Sequence, residues 1–187
     1  MSTKIKPVFY TTEEVKDYTN HLANDIKKEL RSNADLLLEH PAIYIHVWRN
    51  KDDIMNGTWS IYVGETNDII ERTKEHWSAA KIPASKRKAG NWQYHMVEDV
   101  DDKGKPVVPT VYFFGHELFH KSLTLDIENK LIDYCDSMPT AHTHNGRTNA
   151  QGYYSGDDKL DDIFSMIWKI LIDENEDRFL SERSSQK

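Results

Sequence analysis

Between Tyr62 and His76 the chain sets a tyrosine, an arginine and a histidine at spacings that bring them toward one point. Ile61-Tyr62-Val63 has strand chemistry, Gly64 permits a tight exit, and Thr66 or Asn67 can cap a helix that Asp68 opens beside its positive end. Arg72 and His76 are four residues apart and so share a helical face, where a guanidinium and an imidazole can grip a phosphodiester. An ordinary amphipathic helix also carries such a pair by chance, so the elements around it decide what it means.

Those elements read as follows. Thr11-Thr12-Glu13-Glu14 begins a capping-box pattern, and Val15, Tyr18, Leu22, Ile26, Leu30 and Leu37 continue near helical spacing, which predicts one long helix or two short ones over 12–39. Pro41 stops that run. Ile43 to Trp48 alternates and is rich in β-branched and aromatic residues, and Trp59 to Val63 follows as a second strand. The loop between them, with Asn56-Gly57, has the turn chemistry of an antiparallel hairpin. Val107 to Phe114 reads as a third strand, Ser122 to Asp136 as a helix, and Leu160 to Leu171 as another with Phe164, Ile167, Trp168 and Leu171 in one apolar stripe. The expected class is α+β: a small three-stranded antiparallel sheet flanked by helices, with extra N- and C-terminal helices. Residues 1–40 then form a helical extension, 41–152 the core, 153–180 a helix packed on it, and 181–187 a tail where a further domain would attach in a longer protein.

A chain of 187 residues, 38% hydrophobic and 11% aromatic, can bury one good core. Cys135 is the single cysteine, which excludes an internal disulfide and suits a cytoplasmic, reducing setting, including a nucleoid-associated one. Met1 to Tyr10 lacks an apolar signal region, and Ile163 to Ile172, interrupted by Ser165 and Lys169, is too short to cross a bilayer, so no membrane partner is expected. A net charge of -7 disfavours a protein that coats nucleic acid over its whole surface. Charge is uneven, however: Glu71 to His95 carries Arg72, Lys74, Lys81, Lys86, Arg87 and Lys88 against only Glu71 and Glu75. Lys74, Lys81, Lys86, Arg87 and Lys88 are thus the candidates for contact with DNA, and a solvated lysine-rich loop is the plainer account of Lys86 to Lys88.

The order of these residues resembles the GIY-YIG nuclease family. Ala42-Ile43-Tyr44 is similar to its first tripeptide, Tyr62-Val63-Gly64 to its second, and Arg72 falls ten positions after Tyr62 with His76 following. Glu128-Asn129-Lys130-Leu131-Ile132 resembles the helix carrying the family's metal-binding glutamate, and Asn149 its terminal asparagine, with Asn145 as a rival. About 17 residues separate Tyr44 from Tyr62, more than the family usually shows, which implies a longer hairpin loop from Trp48 to Thr58. The resemblance implies a divalent-metal-dependent DNA endonuclease. In it Glu128 holds Mg2+ or Mn2+, Tyr44 or Tyr62 is the base with Tyr62 preferred, Arg72 holds the scissile phosphate, His76 orients water or a phosphate oxygen, and Asn149 braces the metal shell.

Two other readings compete. A noncatalytic nucleic-acid or protein-binding module could keep the same fold. His116-Glu117-Leu118-Phe119-His120 matches the HExxH of zinc metalloproteases, although the strand composition just before it argues against the helix that such a site needs. His142 and His144 form an HxH pair in a polar loop, which could hold a metal but more commonly marks a turn.

Overall fold

The computed structural model describes residues 6–12, 18–88, 90–145 and 156–180. In chain order the elements are β1 (Val8–Thr12), α1 (Tyr18–Leu30), α2 (Asp35–Leu38), β2 (Ala42–Trp48), α3 (Lys51–Asn56), β3 (Trp59–Thr66), α4 (Ile69–Ala80), α5 (His95–Glu98), β4 (Thr110–Gly115), α6 (Lys121–Ser137), β5 (Ala141–Thr143) and α7 (Leu160–Leu180). The strands form one sheet in the order β1-β4-β2-β3-β5. The first three pairings are antiparallel, while β5 runs parallel to β3.

The class is α+β, but the small three-stranded antiparallel sheet is overturned: the sheet has five strands and is mixed. The three expected strands form its centre, and the two extra ones lie at its edges. β1 falls where Thr11 and Thr12 were expected to begin a helix. Its Val-Phe-Tyr-Thr-Thr sequence is as strand-like as any in the chain, and pairing with β4 satisfies its backbone. The N-terminal segment is therefore part of the sheet as well as a source of helices. Glu13 to Asp17, the rest of the capping-box motif, lie outside the described residues, as do Met1 to Ile5, Asn149 and the 181–187 tail.

The Trp48–Thr58 connection is also not the expected turn. It holds α3, whose N-cap Asn50 accepts from Asp53 N–H while the Asp53 carboxylate accepts from Asn50 N–H. Gly57, at φ 68, closes this helix in the left-handed conformation. The buried Asp53 carboxylate also accepts from the Thr58 and Ser60 hydroxyls, so the hairpin is tied at its base. The third strand starts at Thr110 rather than Val107, because Pro106 and Pro109 have no N–H to give to a ladder.

Every residue of β2 is buried, since helices cover both sides of the sheet. One face carries Ile43, Ile45, Val47, Ile61, Val63, Tyr112 and Phe114 against α6 and α7. The other carries Tyr44, Trp48, Val111 and Phe113 against residues of α1, α2 and α4. Each fully buried Ile or Leu in these layers contributes about 1.5–3 kcal/mol. No helix among the described residues is long and apolar enough to cross a membrane.

Candidate active site

Alternation along β2 and β3 builds the site. Tyr44 pairs with Gly64, His46 with Tyr62 and Trp48 with Ser60 across the ladder, so their side chains share one face of the sheet. Asp68 ends the turn after β3 by accepting from Glu71 N–H, and Thr66 accepts from Asp68 N–H, so the cap is Asp68 itself rather than Thr66 or Asn67. From that start, Arg72 and His76 come down α4 onto the tyrosines.

Arg72 Nε donates to Tyr44 Oη at 3.1 Å, and Tyr44 Oη lies 2.8 Å from His76 Nε2. On the far side of the imidazole, the Gln93 amide nitrogen is 3.1 Å from His76 Nδ1. With that amide donating, Nδ1 accepts and Nε2–H donates, so two N–H groups converge on the tyrosine oxygen. Tyr62 stacks on Trp92 with ring centroids 4.1 Å apart, and its ring is 6.2 Å from that of Tyr44. His46 fills the middle, edge-on to Tyr44, Tyr62 and His76. Gly64 makes this assembly possible, because a β-carbon there would collide with the Tyr44 ring.

Tyr44 is 2% exposed and His76 3%, and burial governs their ionisation. Burial pushes the Tyr44 phenol up, opposed by Arg72. Burial, with His46 and Arg72 adding to it, lowers His76 to about 2, and burial lowers His46 to about 3. Both imidazoles are therefore neutral at physiological pH. Burial also opposes the charge on Arg72, but the hydrogen bonds to Tyr44 and Glu75 and the electrostatic pull of Tyr44 and Tyr62 together outweigh it, and the guanidinium stays charged. The members that reach solvent are Arg72, whose side chain is 38% exposed, and the half-buried Tyr62 and Gln93. Arg72 also holds Glu75 at 2.7 Å.

Thus Tyr44, Tyr62, Arg72 and His76 come together. Glu128 lies on α6, which packs on the opposite face of the sheet, and it is 9% exposed. Asn145 pairs its side-chain amide with Val63, accepting from the backbone N–H at 3.0 Å and donating to the carbonyl at 2.7 Å, so it prolongs the edge of β3. Of the basic residues, Lys74 pairs with Glu71, Lys81 lies over the Trp77 ring, and Arg87 is bound by Glu98 and stacked on Tyr94. Lys86 and Lys88 are exposed, with no ion pair among the described residues.

The HExxH segment is a strand end and a turn. His116 Nδ1 accepts from Leu118 N–H, and His120 is the N-cap of α6, so the two histidines do not share a helical face. His142 and His144 flank the end of β5 with rings 4.5 Å apart, and His144 Nε2 is 3.0 Å from the Ser60 hydroxyl. Among the described residues no cluster of three or more His, Cys, Asp or Glu side chains could hold an ion. Sequence reasoning missed three members of the site. His46 was signalled by its two-residue offset from Tyr44, whereas Trp92 and Gln93 sit in a short 3-10 turn over 92–94 with no periodic pattern to reveal them. No family model, no curated protein and no solved structure matches this chain.

Proposed function

We propose that this chain is a divalent-metal-dependent endonuclease of the GIY-YIG type acting on DNA. The observation that carries the proposal is the bonded series Arg72–Tyr44–His76, held beside Tyr62 on one sheet face. Phosphodiester hydrolysis needs a fixed cation at the nonbridging oxygens and a base for the attacking water. Arg72, bonded through Nε to Tyr44, presents its outer guanidinium nitrogens to a phosphate once Glu75 is displaced. Tyr62 is the base in this scheme, because it reaches solvent where Tyr44 does not. Tyr44 and the neutral His76 are positioning residues that fix the guanidinium.

Glu128 offers a hard oxygen donor on α6, a donor type that suits Mg2+ or Mn2+, which keep several waters. Bound there, the ion would offset the charge that develops on the phosphate. Of the five basic candidates, Lys86 and Lys88 are the ones left to follow the DNA backbone.

The test is supercoiled plasmid incubated with and without Mg2+ or Mn2+, beside Glu128→Gln and Arg72→Ala. Metal-dependent nicking is expected, lost in Glu128→Gln with DNA affinity nearly intact, and slowed about two to three orders of magnitude in Arg72→Ala. If both residues serve one phosphate, the double mutant is about as slow as the worse single. Glu128→Gln cutting at the wild-type rate would remove the metal assignment.

A noncatalytic nucleic-acid module is the second reading, favoured by one observation: Glu128 and the Arg72 cluster lie against opposite faces of the sheet. It predicts DNA binding without cleavage under any metal.

A further inference from the structure

Beside the Arg72 cluster lies a cleft of about 420 Å³ bounded by Lys88, Asn91, Trp92, Tyr94, His95 and His144. Its size falls within the range of small-molecule sites, about 300–1,000 Å³. Trp92 belongs to both places, stacking on Tyr62 at 4.1 Å and on Trp48 at 5.5 Å while forming one wall of the cleft. Tyr94 and His95, 4.0 Å apart, supply two more rings, and His144 lies 5.2 Å from His95. The Asn91 Oδ1 is buried and has no hydrogen-bond partner among the described residues. A buried acceptor left unpaired is costly, so it calls for an N–H donor from a ligand.

The cations at the rim narrow the choice. Arg87 also lines the cleft, but its guanidinium is taken by Glu98 and by the face of Tyr94. Among the described residues that line the cleft, Lys88 is the cation left for one anionic group. Ring walls, an amide acceptor and a single cation fit a planar heterocycle carrying one phosphate better than a bare polyanion.

We propose that this cleft binds an unstacked nucleobase of the substrate, with Asn91 Oδ1 accepting from a base N–H and Lys88 facing the attached phosphate. This rests on the reading of the chain as acting on DNA and adds where a base next to the cut is held. Extrusion of a base into such a site is a known means of drawing a strand toward reacting groups. Tyr62 is one ring away, stacked on Trp92.

The experiment titrates the intact protein at millimolar concentrations with each of the four deoxynucleoside 5′-monophosphates, and with 2-deoxyribose 5-phosphate as the baseless control. The Trp92 indole N–H signal is followed by NMR. At least one mononucleotide is expected to bind, at least tenfold more tightly than the sugar phosphate, and Asn91→Leu is expected to weaken it about fivefold, as loss of one hydrogen bond requires. Equal affinity for the sugar phosphate would reduce the cleft to an anion site and overturn the proposal. So would the absence of any mononucleotide binding, or full affinity in Asn91→Leu. Mononucleotide binding in a protein that cuts no DNA would uphold the cleft and remove the nuclease reading; metal-dependent cutting without mononucleotide binding would do the reverse.

Discussion

Gly64→Ala tests the geometry of the site without assuming any activity. Gly64 faces Tyr44 across the β2–β3 ladder, and an added methyl would fall against Cζ and Oη of the phenol and 2.7 Å from Cε1. Ordinary contact begins near 3.4 Å, so the ring must move by about 1 Å. It is pinned: Oη is held by His76 and Arg72, and the side chain is 2% exposed. Overpacking of this kind costs about 1–3 kcal/mol. Stretching two hydrogen bonds, one from a charged donor, adds about 1–3 kcal/mol, while replacing a strand glycine returns about 0.5 kcal/mol through the unfolded chain. The expected loss is about 2–5 kcal/mol, or a fall of roughly 5–15 °C in Tm for a chain of this size. Urea unfolding followed by circular dichroism measures it, with the m-value unchanged. In a Tyr44→Ala background the obstruction is gone, and Gly64→Ala should then cost no more than about 0.5 kcal/mol. A wild-type stability for Gly64→Ala, or the same loss in both backgrounds, would refute the packing argument.

Acid should unfold the protein through His46 and His76. Their folded values of about 3 and about 2 lie below 6.5, so the unfolded chain takes up protons first as pH falls. Their contribution is whole above about pH 6.5 and is lost below it, at about 2.7 kcal/mol per pH unit for the pair. His46→Phe should remove about one proton from that slope in urea titrations at successive pH values, and an unchanged slope would mean that His46 is charged in the fold. If the DNA reading holds, Lys86→Ala with Lys88→Ala should flatten the salt dependence of DNA binding by about two units, while Arg87→Ala, already paired with Glu98, should change it little. A full unit from Arg87 would show that DNA displaces Glu98. His116→Ala should leave any DNA cleavage within about tenfold of wild type, because His116 is bonded locally to Leu118 and lies outside the Arg72 cluster; a larger loss would reopen the role of the HExxH segment.

What could be read in the sequence was whatever local chemistry fixes. The β2 and β3 centres, α4 and α6 follow from alternation and helical spacing, and Tyr62, Gly64, Arg72 and His76 come together because a strand, a turn and a helix are contiguous there. The edges were harder. β5 has three residues, and its pairing with β3 depends on where α6 returns the chain. Asn56-Gly57 misled because the same left-handed glycine closes a hairpin turn or a helix. The discriminating signal was upstream, in Asn50 and Asp53 at capping-box spacing.

Glu128 shows the limit of such reading most clearly. Its helix could be read from the sequence, yet periodicity does not say which side of the sheet a helix covers. Topology assigns α6 to the face of Ile43, Ile45, Ile61 and Val63, and α4 to the face of Tyr44 and Tyr62. A carboxylate on α6 and a guanidinium on α4 can serve one phosphate only past an end or edge of the strand between them. Among the described residues β5 pairs with β3 only at Trp59, Ser60 and Ile61, and Asn145 extends the pairing to Val63. Beyond that point Gly64, Glu65 and Thr66 have no strand among the described residues on their outer side. Gly64 leaves room there for Tyr44 on one face of the sheet. The place where a DNA strand would have to meet both residues is therefore the end of β3, next to the turn that delivers Arg72.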